Sequence, residues 1–573
     1  MKSLIPSALK KAFGKIPSFS KTGKNALIYL NITQFLGVIN DNVFKFVMAF
    51  LLIDALGHSA ASSILSATGA IYVIPFLLFS SCAGILADRF SKQKLLVLMK
   101  VAEMGIMLLA IFAFGAKTPW ACFTLLFLLS THSAMFGPSK YGIIPELVPT
   151  DKVSRANGLV TSFTYLAIIL GTFLASFLTE VTNRHFILIA IFCFVVALGG
   201  FFSALAVKQT VSQGSQKKIN ILFIREILKT LKSSRKISHM LPAICGSSYF
   251  LLIGAFTQLN IIPFALQSLN FSEVAGGYLF LATALGIALG SYLAGKASKR
   301  RIELGLSCLA GIGMSLFFVL IAIFPSSLFN VILCLVAIGV LGGAFIVPFD
   351  TFIQLNSADE RRGQTIAATN FLSFTGVLIA SFALYFFNQL CGLSAAHSFA
   401  VMGGVTLIIT LALTLRLSDM ALPYFSRKIL RHFLGFQSPD TSAIEKAQTK
   451  VLILEPATWK EALLLAGIVP NIHFLVPSDS KLWHKCHRFF YSIHLVASQE
   501  HMEQVIQTAR TYTDKDLIPC LLLEKPLGQR TQSSMKAFLD FFKRASTTVF
   551  YVRPIRDGVT GKLTLSFEKA KTS

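Results

Sequence analysis

Charge is scarce in this chain. Of its 573 residues only 14% are Asp, Glu, Lys or Arg, while 54% are hydrophobic; soluble domains carry roughly 25% charged residues. That shortage excludes an ordinary soluble protein and leaves a polytopic membrane protein. Acid is scarcer still: 27 Asp and Glu stand against 52 Lys and Arg, a formal net charge of +25. So large an excess would suit nucleic acid. The basic residues, however, fall between apolar runs and in the C-terminal third, as loops facing an anionic leaflet do, and no nucleic-acid partner is expected. Nine cysteines are scattered without a CxxC pair, so neither a zinc site nor a disulfide framework is indicated. The spacing in His484-Lys485-Cys486-His487 fits no common metal site either. No metal or cofactor is expected.

What is abundant is long apolar sequence. Runs of spanning length, about 20 residues, lie near 26–56, 60–86, 95–115, 119–138, 157–179, 185–207, 241–267, 274–295, 303–324, 328–349, 366–390 and 397–416. Twelve spans are therefore predicted. Residues 1–24 carry six lysines and no acid, and their apolar residues are interleaved with the lysines rather than gathered into a core. They read as an uncleaved basic tail rather than a signal peptide.

Loop charge sets the orientation. Basic residues crowd the tail, the loop after the second span (Arg89, Lys92, Lys94), the one after the fourth (Lys152, Arg155) and the long segment 208–240. They recur after the eighth span (Lys296, Lys299, Arg300, Arg301) and the tenth (Arg361, Arg362). The positive-inside rule then places both termini in the cytoplasm. Segment 208–240 divides the membrane part into halves of six, 25–207 and 241–416. The halves echo one another: Gly84 to Gly295 and Pro138 to Pro348 are separated by nearly equal stretches of chain. Parallel halves related about the membrane normal mark the major facilitator architecture.

Polar residues inside the spans are the candidate site. Asn40-Asp41-Asn42-Val43-Phe44-Lys45 sits in the middle of the first run, where ionisable groups are costly and usually face a bundle interior or a wet path. Asp41 and Lys45 are four apart, so mutual neutralisation on one helix face is the simpler alternative.

Gly84-Ile85-Leu86-Ala87-Asp88-Arg89-Phe90-Ser91-Lys92-Gln93-Lys94 resembles the gate signature of major facilitators, with Ser91 in place of its second glycine. Gly84, Asp88, Arg89, Lys92 and Lys94 are thereby candidate gating residues, and Asp88 is expected to meet the N-terminus of the eleventh span, where carboxylates are favoured. The second-half copy, 295–301, lacks the aspartate, so an asymmetric gate is expected.

Three segments together, Asn40–Lys45, Phe136–Leu147 and Ser154–Leu159, resemble the lysophospholipid transporter family of the major facilitators, over residues 25–416. The resemblance implies an inner-membrane flippase moving lyso-lipids such as lysophosphatidylethanolamine to the cytoplasmic leaflet for reacylation. It implies that Asp41 senses the cationic part of a head group, with Asn42 and Lys45 shaping its surroundings. Lys140 would meet the phosphate, held by Tyr141 and Glu146. Gln258 stands where some members carry an arginine.

After 416 the periodicity changes. Residues 450–454, 518–523 and 548–552 read as short buried strands, with helical stretches at 501–511 and 532–545. Residues 417–573 are expected to form a cytoplasmic α/β domain. Its layout resembles glycerolipid acyltransferases, with 422–432 as an entry helix, but their N-H-x-S-x-x-D motif is matched by Glu455-Pro456-Ala457-Thr458-Trp459-Lys460-Glu461. Proline stands where the general base belongs, so no enzyme activity is expected. Membrane lipids are expected partners, with a cytoplasmic acyltransferase or an acyl-acyl carrier protein synthetase as further candidates. The alternatives are a bifunctional transporter and 2-acylglycerophospholipid acyltransferase, or a facilitator for another amphiphile or metabolite.

Overall fold

The computed structural model describes residues 25–57, 61–217, 223–271, 273–298, 302–425, 449–455, 459–469, 472–477, 493–496, 502–513, 518–523, 536, 538–542, 547–556 and 563–570. Among them, twelve helices are long and apolar enough to cross a bilayer. The first half holds α1 (Ala26–Leu56), α2 (Ala61–Arg89), α3 (Lys92–Ala116), α4 (Pro119–Gly142), α5 (Val153–Val181) and α6 (Phe186–Ala206). A shorter helix, α7 (Phe223–Ser234), lies between the halves. The second half holds α8 (Met240–Ser268), α9 (Glu273–Ala297), α10 (Leu304–Ile323), α11 (Leu328–Asn356), α12 (Arg362–Tyr385) and α13 (Ala395–Arg416).

Helices are the forced choice here, because a spanning segment must satisfy its own backbone groups. Hydroxyl side chains follow the same rule by donating back one turn: Thr33 Oγ1 to the Tyr29 carbonyl at 2.8 Å and Thr68 Oγ1 to Ile64 at 2.7 Å. Several helices run further toward the end carrying the basic loops than the apolar runs do. Pro138 and Pro348 do not end α4 and α11 but lie inside them, since neighbouring helices tolerate a proline in a span. Segment 208–240, expected as a plain linker, contains α7.

The two halves meet closely at the basic-loop end, and glycine permits it. A Cβ on Gly84 of α2 would lie 2.8 Å from the Gly363 carbonyl oxygen of α12. One on Gly158 of α5 would lie 2.5 Å from the Ser291 oxygen of α9 and 2.9 Å from Gly295 Cα. Backbones this close require small residues at the crossing.

The C-terminal unit begins with α14 (Ser418–Phe425), and its sheet comprises β1 (Lys450–Leu454), β2 (Ile472–Pro477), β3 (Ile493–Val496), β4 (Ile518–Leu522), β5 (Thr548–Arg556) and β6 (Leu563–Lys569). The order is β3-β2-β4-β1-β5-β6. All described pairings are parallel except β5 with β6. Strand β4, and β1 from Val451 onward, are apolar because both faces are covered. Leu452 and Leu454 pack with Ala462 and Leu465 of α15 (Trp459–Ile468), while Val451 and Ile453 pack with Val505 and Ala509 of α16 (Met502–Thr513). Strands β2, β3 and β6 had no sequence expectation. Pro456 and residues 426–432 lie outside the described residues, as do His484 to His487.

Candidate substrate cavity and gate

Helical spacing sets up the cavity. On α1, Gln34, Gly37, Val38 and Asp41 recur at three- and four-residue intervals and so share one face; on α4, Ser133, Phe136, Gly137 and Lys140 do the same. These faces, with others from α2, α5, α8, α11 and α12, line a cavity of about 300 Å³ between the halves. Its wall is mostly apolar, including Phe76 of α2 and Phe374 of α12, whose rings stack with centroids 3.8 Å apart. Four charged side chains break that wall: Asp41, Lys100, Lys140 and Asp350. Asp41 Oδ2 accepts from Ser133 Oγ at 2.6 Å, and Asp350 Oδ1 accepts from Ser247 Oγ at 2.7 Å. Carboxylates from opposite halves and two ammonium groups thus share one small space, an arrangement complementary to a zwitterion.

The cavity is closed toward the basic-loop end. Asp88, fully buried at the end of α2, caps the N-terminus of α12. Its Oδ1 accepts from the Gly363 N–H at 2.6 Å, and its Oδ2 accepts from the Gln364 N–H and Nε2, both at 3.0 Å. A carboxylate on a helix N-terminus satisfies orphan donors and meets the positive end of the dipole. Beside it, Asn157 of α5 and Gln354 of α11 exchange amide hydrogen bonds. The chain after α6 is stitched over this gate. Arg89 donates from Nε to the Ser215 carbonyl at 3.3 Å and from a second guanidinium nitrogen to Lys217. Lys217 Nζ in turn donates to Gln364 Oε1 at 2.6 Å and lies 3.0 Å from Glu226 of α7.

A family model described as the Major Facilitator Superfamily matches residues 30–381. The chain belongs to the major facilitator superfamily. It is 28% identical over 344 residues to the lysophospholipid transporter LplT of Escherichia coli O1:K1, covering 59% of this chain and 81% of that protein. The same holds for LplT of the S88 strain. Among solved structures it superposes on the human organic anion transporter MFSD10 at 14% identity with a TM-score of 0.56, covering 69% of this chain and all of that one. A bacterial homologue of the iron transporter ferroportin in an outward-facing state matches at 14% identity and a TM-score of 0.55, covering 69% and 99%.

This facilitator does not bring all the sequence-derived site residues together. Asp41, Lys140 and Tyr141 line the cavity, and the Lys140 ammonium stands 4.5 Å from the Tyr141 ring centroid. Glu146 is not a partner of Lys140. Its Oε1 lies 2.5 Å from Nζ of the buried Lys92, because α4 ends at Gly142 and the short turn after it swings Glu146 toward α3. Asp41 and Lys45 form no ion pair. Lys45 Nζ instead meets Asn42 Oδ1 at 3.4 Å and the Phe46 and Tyr72 rings at 4.7 and 5.2 Å. Asn42 faces Gly171 of α5 and donates to the Val38 carbonyl, so neither Asn42 nor Lys45 reaches the cavity wall. Gln258 is exposed and is not in the wall. It lies on the face of α8 that carries Ser247 and Leu251, but about two turns beyond Leu251. Lys94 is half-buried and lines a shallow surface pocket with Thr210 and Val211.

Sequence reading missed Lys100, Glu103, His132 and Asp350. The signal was present: Lys100, Glu103 and His132 are ionisable residues inside apolar runs and Asp350 directly follows one, and such residues are functional candidates by default.

Proposed function

We propose that the protein moves lysophospholipids such as lysophosphatidylethanolamine from the outer to the cytoplasmic leaflet of a bacterial inner membrane, making them available for reacylation. The observation that carries this reading is the cavity in which Asp41 and Asp350 stand with Lys140 in a largely apolar wall. The carboxylates suit an ammonium head group. Lys140, a compact point charge, suits a phosphate oxygen. A volume of about 300 Å³ takes a head group and leaves the acyl chain to apolar surface. The likeness to LplT over 59% of the chain supports the same substrate class.

Release requires the basic-loop end, here taken as cytoplasmic, to open. The Asp88 cap and the Asn157–Gln354 pair must break together, and the segment after α6 must lift. The C-terminal unit, read as acyltransferase-like, lacks the general base at Pro456 and transfers no acyl group; membrane lipids and a separate cytoplasmic acyltransferase are its partners. The test is uptake of labelled lysophosphatidylethanolamine by proteoliposomes. Accumulation above protein-free vesicles supports the reading. Equal accumulation, with the protein inserted and folded, refutes it.

A further inference from the structure

Three helices of the first half bury a polar cluster for which the reading above has no use. Helix α3 supplies Lys100 and Glu103, α1 supplies Asn40, and α4 supplies His132. Glu103 is fully buried. Its Oε2 lies 2.5 Å from Lys100 Nζ and its Oε1 accepts from Asn40 Nδ2 at 2.9 Å. His132 Nε2 lies 3.6 Å from Glu103 Oε2 and has no hydrogen-bond partner. Helix α6 closes the cluster at Gly200, where a Cβ would come within 3.3 Å of the Lys100 ammonium.

As a structural stitch this cluster is poorly designed. Lys100 and Glu103 are three apart on one helix, so their ion pair ties no two helices together. Burying such a pair costs desolvation that its attraction seldom recovers. The members also differ in one respect that matters: Lys100 lines the cavity, Glu103 and His132 do not. A lysine has a flexible four-carbon stem and a point charge that need not stay with one partner. His132, just beyond hydrogen-bond reach of the same oxygen that Lys100 holds, is a donor in waiting.

We propose that Lys100 is a second, displaceable phosphate ligand of the cavity, held at rest by Glu103 and surrendered to an anionic head group. On binding, the ammonium swings from Glu103 to a phosphate oxygen, facing Lys140 across the head group. Asn40 keeps its bond to Glu103, and the His132 Nε2–H closes on the oxygen that Lys100 leaves. Glu103 and His132 are then positioning residues that set how readily Lys100 is released. The proposal rests on the lipid reading above for its natural ligand, but not for its chemistry.

The experiment uses the full-length protein in nanodiscs, with lysophosphatidylglycerol and monoacylglycerol as probes. Lys100→Met is expected to weaken lysophosphatidylglycerol binding about tenfold, the loss of one charge-assisted contact, and to leave monoacylglycerol unchanged. Glu103→Gln, a neutral isostere that no longer competes for Lys100, is expected to tighten lysophosphatidylglycerol binding several-fold. A merely structural pair would make both substitutions harmful. The Lys100→Met/Glu103→Gln double variant, which leaves no charge unpaired, reports on folding. A second arm needs no lipid: amine-reactive labelling read by mass spectrometry. Lys100 is expected to label faster in Glu103→Gln than in the wild type, and inorganic phosphate is expected to slow that labelling. Equal labelling in both proteins, or labelling indifferent to phosphate, overturns the proposal. Failure of the wild type to bind lysophosphatidylglycerol while the labelling arm behaves as expected overturns the lipid reading instead.

Discussion

Asn157 and Gln354 exchange amide hydrogen bonds across the boundary between the two halves. Asn157 Nδ2 donates to Gln354 Oε1 at 3.1 Å, and Gln354 Nε2 donates to Asn157 Oδ1 at 2.9 Å. Each is 1% exposed; Asn157 Nδ2 also donates to Thr351 Oγ1 at 3.1 Å, whereas the Gln354 amide relies on Asn157. Asn157→Leu leaves Gln354 orphaned, a penalty of about 1–3 kcal/mol in the closed state. The expected outcome is a shift toward opening at this end, seen as a longer distance between spin labels at the exposed Lys152 and Arg361. Replacing both amides by leucine should shift the distance less than either single change, because no polar group is then stranded. An unchanged distance in Asn157→Leu would separate this pair from the gate.

Asp88 carries the other half of the closure. Asp88→Asn keeps the shape but replaces an acceptor-only carboxylate with an amide whose NH₂ points at N–H donors. The loss is expected to be about 0.5–2 kcal/mol, the range for removing a helix N-cap. Cysteines placed at the ends of α2 and α12 should become more reactive to a water-soluble thiol reagent from the basic-loop side. Gly84→Leu should go further, since the added carbons meet the α12 backbone.

The strap over the gate responds to acid. Hydrogen bonds from Lys229 and Lys217 hold the Glu226 carboxyl below its ordinary range. A carboxyl with a depressed folded-state pKa stabilises above its unfolded value, about 4.3 for glutamate, and the stabilisation disappears as pH falls through the folded value. Protection of the α7 amides, taken relative to their intrinsic exchange rates, should therefore be high near neutrality and fall as pH drops below about 4.3. Glu226→Gln should exchange faster at neutrality and lose that pH dependence.

The C-terminal unit is expected to be silent in an acyl-transfer assay. General-base catalysis contributes about 10²–10⁴-fold, and Pro456 cannot provide it. Full-length protein incubated with lysophosphatidylethanolamine and acyl-carrier-protein or coenzyme A thioesters should yield no diacyl product. Product that vanishes when residues 417–573 are removed would show a working enzyme.

Much of the fold was legible because membrane sequences write it in one dimension. Twelve apolar runs can only be helices in hydrocarbon, and the echo between Pro138 and Pro348 betrays the repeat. The helix ends were less legible, since an apolar window stops at Pro138 or Pro348 while the helix continues for another turn or two. The Asp88 cap follows from charge and helix polarity alone. Partners brought by tertiary packing did not show. Glu146 goes to Lys92 rather than Lys140, and Lys45 to aromatic rings rather than Asp41, because four-residue spacing says which residues share a helix face and nothing about what that face meets. The Lys100–Glu103 pair was visible as charges in an apolar run and Asp350 as one at the edge of another, but only the assembled bundle shows which of them reach the cavity. In the C-terminal unit, β1 and β4 stood out as unbroken apolar runs. Strands β2, β3 and β6 carry polar residues, and no strand was expected there.

The most direct test is uptake of labelled lysophosphatidylethanolamine into proteoliposomes, comparing wild type with Asp41→Asn and Lys140→Ala at matched insertion. The wild type should accumulate the lipid and Asp41→Asn should fall close to protein-free vesicles. Lys140→Ala should lose roughly ten- to hundredfold, the cost of about 1.5–3 kcal/mol for a charge-assisted contact. Uptake at the wild-type level by both variants would contradict the assignment of this cavity as the lipid head-group site.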